Sequence, residues 1–178
     1  MAARNKLLEV LTGGDCRSIG KSNRVVALVL KQPKLLSELI RGMRCDDALV
    51  RMRVADAAEK VSLKNPDLLQ PFKKELLKLL DEAVQQELRW HLAQMIPRLA
   101  LKKNERLRAV SRFKEHLRDS SSIVKTSALQ GLVDLISIDE SFAPEVKDML
   151  QRSVTTGTPA MKARARKLLR VIERSKTH

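Results

Sequence analysis

The chain has 178 residues, enough for one well-buried domain that removes roughly 70% of its unfolded surface from water. With no tyrosine, one tryptophan, three phenylalanines and few β-branched or aromatic runs, it lacks what strands need, and an all-helical fold is expected. A formal charge of +14 and a pI near 10.2 point to polyanions or acidic surfaces as partners, and no apolar run reaches the roughly 18 residues of a membrane span.

The first residues, MAARNKLLEV, are too short and too charged for a secretory signal, so a cytoplasmic protein is expected. Residues 1–14 read as a leading helix and loop. Leu7, Leu8, Val10 and Leu11 fall at helical spacing, and Gly13-Gly14 is a helix stop. The stretch GGDCRSIGKS, Gly13 to Ser22, imitates a phosphate-binding loop. Gly20-Lys21-Ser22 matches the distal end of G-x-x-x-x-G-K-[ST], but the first glycine of that pattern falls on Asp15, whose carboxylate would repel phosphate. No strand precedes it. A helix stop, a loop and a helix start account for the stretch without a nucleotide, and no cofactor is expected. Cys16 and Cys45 match no metal-ligand spacing and read as reduced thiols, so no metal site is expected either.

From Ile19 onward one frame recurs: apolar, usually basic, two variable, small or apolar, two variable, two small or apolar, two variable, apolar. Its copies are IGKSNRVVALVL from Ile19, VRMRVADAAEKV from Val50, VQQELRWHLAQM from Val84, VKTSALQGLVDL from Val124 and MKARARKLLRVI from Met161. The starts lie 31, 34, 40 and 37 residues apart. The apolar positions fall at i, i+4, i+7, i+8 and i+11, one stripe of an amphipathic helix. Three residues before the last four starts stand Asp47, Asp81, Ser121 and Thr158, all good N-caps, and Pro159 follows Thr158 at the first helical position. A second helix fills each interval: PKLLSELIRGM opening at Pro33, PFKKELLKLL opening at Pro71, NERLRAVSRFKEHL and PEVKDMLQRSV. Pro97 should kink or end the first helix of the third unit.

The stretches DDALVRMRVADAAEKV and SSSIVKTSALQGLVDL resemble the first helix of the HEAT-repeat family and its armadillo-like relatives, with the preceding cap and the apolar-basic pair. The resemblance covers roughly Asp15 to Arg174. It implies an all-α, right-handed superhelical solenoid of about five helix pairs, the last one incomplete, forming a single domain over 1–178. The repeats would start near residues 16, 47, 81, 121 and 158. It also implies a concave binding surface lined by second helices and, in a family made mostly of scaffolds, adaptors and enzyme accessories, a protein that is not an enzyme.

The candidate functional residues are basic, with one aromatic. Leu101 to Arg118 holds seven lysines and arginines against two glutamates: Lys102, Lys103, Arg106, Arg108, Arg112, Lys114 and Arg118. In the last helix Lys162, Arg166, Arg170 and Arg174 form an i,i+4 ladder. Like charges at that spacing destabilise a helix by roughly 0.2–0.5 kcal/mol per pair, so the ladder invites an anion, although a solvated end cap would look the same. Trp90 takes a frame position held elsewhere by Val25, Asp56, Gln130 and Lys167; it is either a binding anchor or a ring packed over the neighbouring unit. His91 falls on a stripe position shared with Ala57, Gly131 and Leu168 and reads as structural; His116 lies beside Lys114 and Arg118. Of the acidic pairs Asp46-Asp47, Asp81-Glu82 and Asp139-Glu140, the first two include the cap positions above, so capping explains the pairs better than acid–base catalysis.

Two functions fit. The first is a non-enzymatic scaffold gripping an acidic protein or peptide on a curved basic surface. The second is a nucleic-acid binder contacting phosphates, distantly like the HEAT-type alkylpurine DNA glycosylases. Those enzymes use tryptophan, tyrosine and a carboxylate around the lesion, and that set does not map onto a chain whose only such aromatic is Trp90. The scaffold is the preferred expectation.

Overall fold

A computed structural model describes residues 6–13 and 20–174. The chain divides into two compact units, Met1–Ala100 and Leu101–His178. Among the described residues every regular element is helical, and no helix is long and apolar enough to cross a membrane.

The amino-terminal unit holds α1 (Lys6–Glu9), α2 (Ser22–Lys31), α3 (Leu36–Gly42), α4 (Ala48–Lys64), α5 (Lys73–Glu82) and α6 (Gln86–Met95). Helix α2 packs on α4, α4 packs on α6, and α1, α3 and α5 lie against α3, α4 and α6 in turn. Helix α4 shows why the sequence folds this way. The Asp47 carboxylate accepts hydrogen bonds from the amides of Leu49 (2.8 Å) and Val50 (3.2 Å), satisfying two of the four orphan donors at a helix start. Its stripe of Val50, Val54, Ala57, Ala58 and Val61 is then buried without exception.

The second unit repeats that construction with α7 (Lys103–His116), α8 (Ser122–Ile136), α9 (Ala143–Thr156) and α10 (Pro159–Arg174). Ser121 caps α8 through Val124, and the Thr158 hydroxyl accepts the Met161 amide at the start of α10. The α8 stripe of Val124, Ala128, Leu132 and Leu135 is wholly buried, with Gly131 completing it. In α10 the buried set is Met161, Ala165, Leu168 and Ile172, packed on α8 and α9.

Four expectations need correction. Asp81 is not the N-cap of α6: it lies inside α5, which runs on to Glu82 because Leu79 and Leu80 are still buried, and Ala83 then turns extended. Gln85 flanks α6 instead, yet its amide is occupied elsewhere, accepting from Arg51 Nε (2.8 Å) and donating to the Ala48 carbonyl (2.9 Å). Val84, the expected first stripe residue of that copy, is therefore left 83% exposed. The copy set at Ile19 is out of register by one. In α2 the buried residues are Ser22, Val25, Val26 and Val29, while Asn23 and Ala27 are exposed, so the frame begins at position 18 and Val25 is not the counterpart of Trp90. Pro33 and Pro71 do not open α-helices directly; each sits in a 3-10 turn, Pro33–Leu35 and Pro66–Phe72, that leads into one. Pro97 does as expected, since α6 stops at Met95 and a 3-10 turn follows.

Side-chain bridges join α2 to α4, α4 to the start of α6, and α8 to α10. Ser22 donates to Asp56, Arg51 reaches Gln85, Arg164 reaches Gln130 (3.2 Å), and the Ser122 and Thr158 hydroxyls meet at 3.4 Å. Their sequence separations are 34, 34, 34 and 36 residues, within the spacing of the sequence frame.

A candidate anion-binding cleft

The helices of the second unit leave a cleft of about 470 Å³. One wall is the end of α7, with Lys114, Leu117 and Arg118; Lys125 enters from the first turn of α8. Helix α9 supplies Glu145, Met149, Arg152 and Thr156, and the Gly157–Thr158 junction with Met161 brings in the amino end of α10. That end carries the positive pole of the helix macrodipole.

Four cations thus converge. Lys114 pairs with Glu145, and Arg152 pairs with Asp148 at 2.6 Å, one turn away on α9. Both pairs are solvent-exposed, so each holds its cation weakly. For Arg118 and Lys125 no carboxylate among the described residues lies within ion-pair distance. The Thr156 hydroxyl donates to the Arg152 carbonyl (3.0 Å), while the Thr158 oxygen accepts the Met161 amide (3.3 Å) at the cleft edge. The junction is tight: a side chain at Gly157 would collide with the Ser153 carbonyl and stand 2.9 Å from Met161 Cβ.

Of the candidate functional residues, only Lys114 and Arg118 reach this cleft. Lys102 and Lys103 are exposed at the start of α7, where the Lys102 amide donates to Glu105 (2.7 Å). Arg106 is structural. It pairs with Asp139 at 3.1 Å and donates to the Leu101 carbonyl at 2.7 Å. Arg108 is exposed, and Arg112 pairs with Glu115 one turn on. In α10, Arg166, Arg170 and Arg174 are exposed and Lys162 half-buried; no carboxylate among the described residues pairs with any of the four. Arg170 Nε donates to the Arg166 carbonyl (3.2 Å). Trp90 lies in the first unit, half-buried, its ring 5.4 Å from that of His91.

Sequence reasoning passed over Lys125 and Arg152. Lys125 occupies the basic position of the frame, second in its copy, and that was the available signal. Its counterpart Arg51 explains why the signal was ambiguous: Arg51 is a brace, donating to the carbonyls of Cys45 (2.6 Å) and Asp46 (2.9 Å) as well as to Gln85. Arg152 stood in an otherwise ordinary amphipathic helix and gave no signal.

Several titratable groups elsewhere are held by structural contacts or by burial. Asp139 caps a 3-10 turn through Ser141, whose hydroxyl and amide hold its carboxyl below the usual range, with Arg106 adding to the effect. The Glu82 carboxyl is lowered by its hydrogen bond from Arg44. His91 is pushed down by burial between α4 and α6, against the pull of Asp56 and Glu59. His116 is buried beside Phe113, not displayed on the basic face of α7. Near the phosphate-loop imitation, Gly20 adopts φ +54, Ser22 is buried with its hydroxyl donated to Asp56, and Arg53, 2% exposed, donates to the Leu11 and Gly13 carbonyls. Asp15, Cys16 and the repeat start near 16 lie outside the described residues. Cys45 is half-buried, and burial raises its thiol pKa. Among the described residues no three His, Cys, Asp or Glu side chains are grouped to hold a metal.

No protein-family model matches the chain, and neither does any curated protein or solved structure.

Proposed function

We propose that this chain is a non-enzymatic interaction module of HEAT-repeat type, a right-handed superhelix of stacked helix pairs, which binds an acidic polypeptide through the basic surface of its carboxyl-terminal half. The repeat reading is supported by two independent features: stripes and caps that recur along the chain, and bridges between first helices at the repeat spacing. The observation that carries the partner is α10. Lys162, Arg166, Arg170 and Arg174 stack at one-turn intervals, no described carboxylate is in ion-pair contact with any of them, and Glu173 is the one acidic residue of the helix, an arrangement that like-charge repulsion disfavours. The neighbouring cleft adds Arg118 and Lys125 to the same positive field. Aromatic poverty favours a protein ligand over nucleic acid, since base-stacking platforms need rings and the second unit offers only Phe113 and Phe142, both buried.

The test is a binding titration against an Asp/Glu-rich peptide and, in parallel, duplex and single-stranded oligonucleotides across a salt series. Arg166→Gln/Arg170→Gln should weaken the peptide by about 0.2–1 kcal/mol per exposed charge removed. Tighter binding to the oligonucleotides, with its logarithm falling steeply against log salt, would replace the polypeptide by nucleic acid as ligand.

A further inference from the structure

We infer that the cleft of the second unit is a receptor for a phosphoryl group carried on a side chain of that acidic polypeptide. The inference rests on the reading above for the polypeptide, while the anion site stands on its own geometry. Charge matching is the argument. A phosphate monoester carries about −1.5 to −2 charges at neutral pH and three strong acceptor oxygens. The cleft offers Arg118 and Lys125, two cations without a described carboxylate, facing one space. A carboxylate, with one charge, would neutralise one of them and leave the other as it was. A phosphoryl group matches both, and Lys114 and Arg152 keep Glu145 and Asp148.

The surroundings fit the same ligand. Arg118 supplies a planar fork of donors suited to phosphate oxygens, and Lys125 a compact point charge. The amino end of α10 and Thr158 also line the cleft, so the anion would sit where a helix terminus already favours negative charge. Leu117, Met149 and Met161 give the cleft an apolar component against which the stem of a phosphorylated residue can lie. A space of about 470 Å³ admits the phosphoryl group together with that stem.

The experiment compares three versions of one acidic peptide, with phosphoserine, serine or glutamate at its centre, in calorimetric titrations with the full chain. A parallel titration with inorganic phosphate is followed by amide NMR. The phosphoserine peptide should bind about tenfold or more tighter than the glutamate peptide, the gain expected of added charge-assisted hydrogen bonds. That increment should vanish in Lys125→Gln and in Arg118→Gln, return in Lys125→Arg, and survive in Arg166→Gln. Thermal midpoints of the variants, whose changes lie at exposed or half-buried positions, confirm that they are folded. Equal binding of the phosphoserine and glutamate peptides would overturn the phosphoryl site and leave the acidic-polypeptide reading standing. An increment that survives Lys125→Gln would do the same for this location. If no peptide binds but inorganic phosphate shifts the amides of Lys125, Gly157 and Thr158, the anion site is upheld and the polypeptide reading falls.

Discussion

Arg98 should be a consequential polar side chain of the first unit. It leaves the 3-10 turn after α6 and reaches α4, where it pairs with Glu59 (2.7 Å), donates to the Ser62 hydroxyl (2.6 Å) and donates to the Glu59 carbonyl (3.1 Å). Arg98→Met keeps most of the stem and removes every one of these donors. For a fully buried pair the loss of one partner costs about 3–5 kcal/mol, most of it from the carboxylate left behind without a counter-charge. The Arg98 and Glu59 side chains are 23% and 11% exposed, so water can partly replace the guanidinium. The expected loss is therefore about 2–3 kcal/mol. In urea, monitored by far-UV circular dichroism, that is a midpoint lowered by roughly 1–2 M for a unit of this size. The double variant Arg98→Met/Glu59→Met carries the decisive information. With no stranded charge it should lose less than the sum of the two single variants, by roughly 1–2 kcal/mol. Strict additivity, or a loss below about 1 kcal/mol in Arg98→Met, would refute the reading that this pair ties the turn after α6 to α4.

Gly157→Ala should destabilise the second unit by about 1–3 kcal/mol in chemical denaturation, because its Cβ meets Met161 and the Ser153 carbonyl; with φ at −70 the objection is space, not backbone conformation. Asp47→Ala should lower stability by about 1 kcal/mol through loss of the α4 cap, whereas Val84→Ser, at an 83% exposed site, should stay within about 0.5 kcal/mol of the parent. Burial holds His91 below its ordinary value of 6.5, so the unfolded chain binds the proton first: stability is full above pH 6.5 and is lost as pH falls through the folded value. His91→Leu should flatten that slope, as read from thermal midpoints at pH 5 and pH 7.5; an unchanged slope would assign it to other groups.

The helices and their buried faces were legible because the information is local. A cap side chain lies two or three residues from the amides it serves, and a stripe needs only periodicity. Val50 to Val61 and Val124 to Leu135 could therefore be read position by position. The errors came where packing overrode local signals. Asp81 is as good a cap as Asp47 in isolation, but burial of Leu79 and Leu80 carries α5 past it. The cleft was half legible for a related reason. A basic residue in sequence does not disclose its partner: Arg106 turns inward to Asp139, Arg51 braces a turn, and Lys125, at the same frame position as Arg51, faces the cleft. Only the three-dimensional neighbours separate a brace from a free charge.

The lone indole has a spectroscopic consequence. With no tyrosine and one tryptophan, nearly all intrinsic emission of the chain comes from Trp90, on α6 of the first unit. Fluorescence therefore reports the surroundings of α4 and α6, and a transition confined to residues beyond Ala100 would be dark in emission yet visible in helical circular dichroism. The same indole has the His91 ring 5.4 Å away, so a proton arriving on that imidazole places a cation beside the chromophore and gives the buried titration an optical reporter with no label attached.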